Sequence, residues 1–138
     1  MAAISSKHPL GVTNAPLRVA ELRDESFIEY HPVQAAYFHD LVKSILQDTP
    51  VRYRQQVTQV HSVVALVASN HGLALVPESA MHLQVSGVVY RPIADFQERS
   101  IPLHAVWRSD STNPGFKIIV KRLYRLHTLG VRRTPLGR

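Results

Sequence analysis

Cysteine is absent from the 138 residues. That excludes a disulfide framework, a thiolate nucleophile and a cysteine-ligated zinc, and it suits a reducing compartment better than secretion. Long apolar runs are missing too. The longest, Val63 to Ala68, falls far short of the roughly 20 residues that span a bilayer, so no membrane partner is expected. No charged stretch followed by an apolar core stands at Met1 to Ser6, so no signal peptide is read there and the expected location is cytoplasmic. No internal repeat or low-complexity linker interrupts the chain. What is present, 45% hydrophobic residues, is enough for one ordinary domain that buries roughly 70% of its unfolded surface.

Acidic residues are lacking from one part of the chain only. Up to Asp110 there are nine Lys and Arg against ten Asp and Glu, whereas beyond it stand Lys117, Lys121, Arg122, Arg125, Arg132, Arg133 and Arg138 with no acid among them. The formal charge of +6 therefore belongs to the C-terminal segment, where a basic run reads first as a solvated face and a loose terminus. No helix framed by a tight turn for the major groove is found, so sequence-specific DNA binding by this chain alone is not expected.

Strands and helices alternate in the pattern. Phe27 to Tyr30 reads as a strand. After His31, with Pro32 at the first helical position, Val33, Tyr37, Phe38, Leu41, Val42, Ile45 and Leu46 recur at helical spacing until Asp48-Thr49-Pro50. Val51 to Val57 alternates as a second strand, its Arg52 and Arg54 face suiting an edge or interface. Thr58 is placed to cap a helix over Gln59 to Ser69, ended by Asn70-His71-Gly72. Leu73 to Val76 is a continuous apolar run, the mark of a central strand covered on both faces. Pro77 begins a short helical turn through Leu83. Val88 to Ile93 and Leu103 to Arg108 read as further strands, and Asn113-Pro114 opens a last helix near 114–128 with Phe116, Ile119, Val120 and Leu123 on one stripe. The expected fold is α/β: a mostly parallel sheet with helices on both faces. Ligands of such sheets bind at the carboxyl ends of the strands, here His31 to Gln34, Thr58 to Ser62 and Pro77 to Ala80.

No constellation for catalysis is found: no Gly-x-Ser-x-Gly, phosphate loop, dinucleotide glycine pattern or His-Glu-x-x-His, so the chain reads as no enzyme and calls for no cofactor. A hydrolase would need Ser62 hydrogen-bonded to His61 or His31 with an orienting carboxylate. The eight histidines include no pair four residues apart, and no metal site is expected. His39 and His82 fall on polar helix faces and read as solvated.

Three segments carry a family resemblance. His8-Pro9-Leu10 is followed by Ala20-Glu21-Leu22 and Glu25-Ser26-Phe27-Ile28; Val63 to Glu78 reads VVALVASNHGLALVPE; Gly87 to Pro92 reads GVVYRP. In this order, over about residues 6 to 128, they resemble the effector-binding domain of LysR-type transcriptional regulators. The family commonly has glycine where Asn70 stands, and Asn suits the left-handed conformation of a helix end next best.

The resemblance implies a periplasmic-binding-protein-like fold and a sensing module for transcription regulation, a dimer or other homo-oligomer that binds a small anionic or aromatic effector between two subdomains. It assigns residues 1–22 to a remnant of the first subdomain and hinge, 23–108 to the second subdomain, 109–129 to a return helix and 130–138 to a basic tail, with no winged helix-turn-helix in the chain. Thr58, Gln59, His61 and Ser62 are the first ligand-binding candidates, since a helix start offers free N–H groups and partial positive charge to a carboxylate; Thr58 serves equally as a plain cap. His31 and Pro77 complete the set. A small-molecule carrier or solute-binding lobe is the alternative of another class.

Overall fold

A computed structural model describes residues 1–96, 108, 110 and 112–126. Two compact units divide the chain, residues 1–101 and 102–138. The first holds β1 (Ala2–Ser5), β2 (Ser26–Tyr30), α1 (Ala36–Leu46), β3 (Arg52–Val57), α2 (Val60–Ala68), β4 (Ala74–Leu75) and β5 (Val88–Arg91), with 3-10 turns at Pro9–Gly11, Val19–Leu22 and Glu78–Leu83. The second holds α3 (Pro114–Leu126). Leu103 to Trp107, read from sequence as a strand, and the tail from His127 onward lie outside the described residues.

β2 and β3 pair in parallel, and β1 lies antiparallel between β4 and β5. A parallel bridge between Phe27 and Leu73 stitches the two ladders together: the Ile28 amide donates to the Leu73 carbonyl at 2.8 Å and the Leu73 amide to Ser26 at 2.7 Å. The spatial order is thus β3-β2-β4-β1-β5, with β1 alone running against the rest. The alternation of elements thus gives the expected α/β fold, in which the β2–β3 and β2–β4 pairings are parallel and both pairings of β1 are antiparallel.

All four residues of β1 and all but the first of β2 are buried, so both faces of the sheet centre are covered. Ile4, Phe27, Ile28 and Leu73 form the sheet's share of the core; α1 adds Val42 and Leu46, and α2 adds Val63, Val64 and Val67. Each such side chain contributes about 1.5–3 kcal/mol by leaving water.

Three local expectations are corrected. Pro32 does not start α1: residues 32–35 form a turn, and the helix begins at Ala36. The imidazole of His31 explains this, because its Nδ1 accepts the Val33 and Gln34 amides, each at 3.2 Å, and closes the turn first. Thr58 is not the cap of α2. Gln59 holds that position without a side-chain hydrogen bond, and the helix begins at Val60. Strict alternation along β3 also fails, because the register against β2 jumps from Tyr53 to Gln55 and leaves Arg54 as an extra residue. Arg54 reaches Ser26 Oγ at 3.3 Å instead. β3 does lie at the edge of the described sheet, as its charged face implies.

Candidate functional site

Parallel register gathers the predicted positions at one end of the sheet. Tyr30 pairs with Val57, and the His31 amide donates to the Val57 carbonyl at 2.9 Å, so His31 and Thr58 leave adjacent strands side by side. Counting on from the Phe27–Leu73 bridge sets Pro77 level with His31 on the other flank. Gln59, His61 and Ser62 then follow Thr58 into the first turn of α2.

The chemistry of this end is mostly main chain. The first N–H groups of a helix have no intrahelical acceptor, and among the described residues no side chain at the Gln59 cap accepts those of Val60, His61 or Ser62. Thr58, Gln59 and His61 are exposed, whereas Ser62, His31 and Pro77 are partly buried. With Nδ1 of His31 occupied as an acceptor, the proton of the neutral ring sits on Nε2. No hydrogen bond joins Ser62 to His61 or His31 among the described residues, and no group of three metal-ligating side chains occurs there. A concavity of about 660 Å³ lies at the opposite end of the sheet, beside Arg23, the end of α1 and Asp95-Phe96. It contains none of the six residues.

Sequence reasoning passes over two polar clusters. Glu29, buried in the middle of β2, receives Gln56 Nε2 at 2.8 Å and lies 3.2 Å from Lys43 Nζ and 3.5 Å from His39 Nδ1. Burial alone would push its carboxyl up; hydrogen bonds from Gln56 and Lys43 and the charges of Lys43 and His39 outweigh that and hold it below the usual range. Lys43 in turn sits 4.0 Å over the ring of Tyr53, and its ammonium is held above its usual value because its bonds to Glu29 and Tyr53 outweigh partial desolvation. His39 is therefore not a solvated side chain: its Nδ1 donates to the Tyr30 carbonyl at 3.0 Å. The signal was an acid inside an apolar strand followed by His39 and Lys43 four residues apart on one helix face.

Arg91, within the GVVYRP segment, is the second. Its buried guanidinium donates to the carbonyls of Ala15 (2.6 Å), Leu10 (2.9 Å) and Pro16 (3.4 Å) and pins the 10–16 loop to β5. His8 does similar work upstream, Nδ1 accepting the Leu10 amide at 3.2 Å while Nε2 faces Glu25 at 3.3 Å.

The family model described as LysR substrate binding domain matches residues 1–123. The chain belongs to this family. Among curated relatives of this LysR substrate-binding domain is the HTH-type transcriptional regulator IlvR of Caulobacter vibrioides, 33% identical over 101 residues, which are 72% of this chain and 33% of IlvR. The regulator TtuA of Agrobacterium vitis is 29% identical over 118 residues, 82% of this chain and 38% of TtuA. The chain thus spans about a third to two-fifths of the relatives it matches. Among solved structures, the BenM effector-binding domain with its effector benzoate is similar at 28% identity and a TM-score of 0.58, over 69% of this chain and 44% of that one. The periplasmic-binding-protein-like fold and the effector-binding class that the sequence resemblance implies both hold.

Proposed function

We propose that this LysR substrate-binding domain senses a small carboxylate, aromatic or aliphatic, at the carboxyl ends of β2, β3 and β4, as part of a transcription regulator, and that it performs no covalent chemistry. The observation that carries this is the open first turn of α2 set beside His31 by the parallel register. Its first N–H groups and the positive end of the helix dipole accept an anion. His31 Nε2–H supplies a directed donor, Ser62 and Thr58 supply hydroxyls, and Pro77 shapes the rim. Benzoate, the effector named for BenM, fits this chemistry as a planar monocarboxylate. The module works in the cytoplasm and as a homo-oligomer.

Titration calorimetry with benzoate and a panel of aliphatic mono- and dicarboxylates is the test. At least one acid is expected to bind, and Thr58→Ala/His61→Ala is expected to weaken it by about 1–2 kcal/mol, the scale of one or two hydrogen bonds to an anion. Equal affinity of the two proteins would remove this end of the sheet as the site.

A further inference from the structure

Three cations of the first unit are held by partners within it. Lys43 is bound by Glu29, Arg91 by three carbonyls and Arg54 by Ser26. On α3, Lys117, Lys121 and Arg122 are exposed, and among the described residues no ion pair forms at these three; Arg125 is exposed as well. No acid occurs in the sequence after Asp110, so none on α3 itself can pair with them.

Helical geometry turns this surplus into a surface. At about 3.6 residues per turn and 1.5 Å per residue, Lys117, Lys121 and Arg125 form one row with a step of about 6 Å, and Arg122 stands beside it. Phe116, Ile119, Val120 and Leu123 fall on the opposite arc. The cations therefore gather on one side of the helix and those four apolar groups on the other, with the exposed Ile118 standing among the cations. A lipid surface takes a helix by its apolar arc with cations at the flanks, and here the row would face away from the headgroups.

We infer that the Lys117-Lys121-Arg122-Arg125 face of α3 is a contact surface for the phosphate backbone of duplex DNA. Closely spaced like charges hold counterions at an entropic cost, and a duplex, with a negative charge every ~1.7 Å of axis, releases both counterion atmospheres on contact. Such a contact reads no bases, so it is independent of sequence and consistent with the lack of a recognition helix.

Fluorescence anisotropy of the full chain with a short labelled duplex, over a salt series, tests it. For about three phosphates neutralised, affinity falls about 40-fold between about 50 and 200 mM salt, and a scrambled duplex behaves alike. Lys117→Glu/Lys121→Glu, shown by circular dichroism to keep its helix content, binds at least about tenfold more weakly at the lowest salt and falls only about threefold over the series. Lys117→Arg/Lys121→Arg binds as the parent does, and so does Arg52→Gln/Arg54→Gln, which removes two charges from β3. The inference is overturned by absence of duplex binding in the parent, by unchanged binding in the Glu variant, by an equal loss in the β3 variant, or by capture on phosphatidylglycerol vesicles without capture of duplex.

Discussion

Glu29 shows how one carboxylate can be kept inside an apolar strand. Its place between Ile28 and Tyr30 removes it from water, and two donors, Gln56 and Lys43, with His39 nearby, restore what solvation is lost. Because its folded value lies below the ordinary 4.5, it adds stability that is complete above the unfolded value and is lost as pH falls through the folded one. Urea unfolding from about pH 7 down to pH 3 is expected to show a loss from this residue of about 1–2 kcal/mol, held to that size by the exposure of Lys43. Glu29→Gln should be less stable than the parent at neutral pH and converge on it in acid. Parallel pH profiles for the two would show that the cluster does not couple to protons. Arg91 carries the same lesson without a pH signature: its charge is solvated by carbonyls of a loop some 75 residues away, a partnership that no local pattern contains.

At the scale of elements, the helix–turn–strand of residues 60–75 was the most legible part of the chain, because each level agrees. The valines of α2 repeat at helical spacing; Asn70 adopts φ +58°; its amide reaches Val67 at 2.9 Å and that of His71 reaches Leu66 at 3.0 Å, the paired bonds of a Schellman end. Gly72 then lets β4 approach β2: a Cβ there would lie 2.8 Å from the Ser26 carbonyl oxygen, which already accepts the Leu73 amide. Gly72→Ala is therefore expected to destabilise the domain by about 1–3 kcal/mol, whereas Asn70→Gly leaves the turn intact. Thermal unfolding of the pair decides it; an unperturbed Gly72→Ala would mean that β2 and β4 can part without cost.

What the sequence hid at this scale has one cause. The start of α1, the bare cap of α2 and the bulge at Arg54 depend on which strand lies next door, through His31, Val57 and Ser26, and hydrophobic period does not encode neighbours. β1, in the segment assigned from the resemblance to a subdomain remnant, has only the residues Ala2 to Ser5, too short and too small in side chains for a period of its own. The six candidate ligand positions were named from the rule of strand ends and the family resemblance, while the partners of Glu29 and Arg91 required the third dimension.

For the whole molecule, the apolar arc of α3 matters most. Ile119 and Leu123 are 59% and 41% exposed, and covering them would contribute a few kcal/mol, a sizeable part of a domain's net stability; Ile118, 68% exposed, stands on the cationic side instead. The homo-oligomer proposed above places this arc between two copies, apolar side inward and cations outward. Sedimentation over a concentration series should show association in the parent and a monomer for Ile119→Glu/Leu123→Glu. A parent that stays monomeric throughout, with its helix content intact, would show that the arc is not a contact between copies.

The position of β1 bears on how such a sheet is assembled. Ala3 pairs with Ala74 on one side and Ala2 with Arg91 on the other, and among the described strands β5 is bonded through β1 alone. The pairing of β2, α1 and β3 closes over short stretches of chain; β1 closes on β4 and β5 only across loops of some seventy residues or more, whose closure entropy must be met before any contact there is rewarded. Ordering is therefore expected to run from β2 and β3 inward, with the wedge of four residues as the late, rate-setting event. Seen from the folded side, withdrawing that wedge releases β5 and uncovers β4 in a single step, so the barrier to opening this half of the sheet is the barrier to extracting β1.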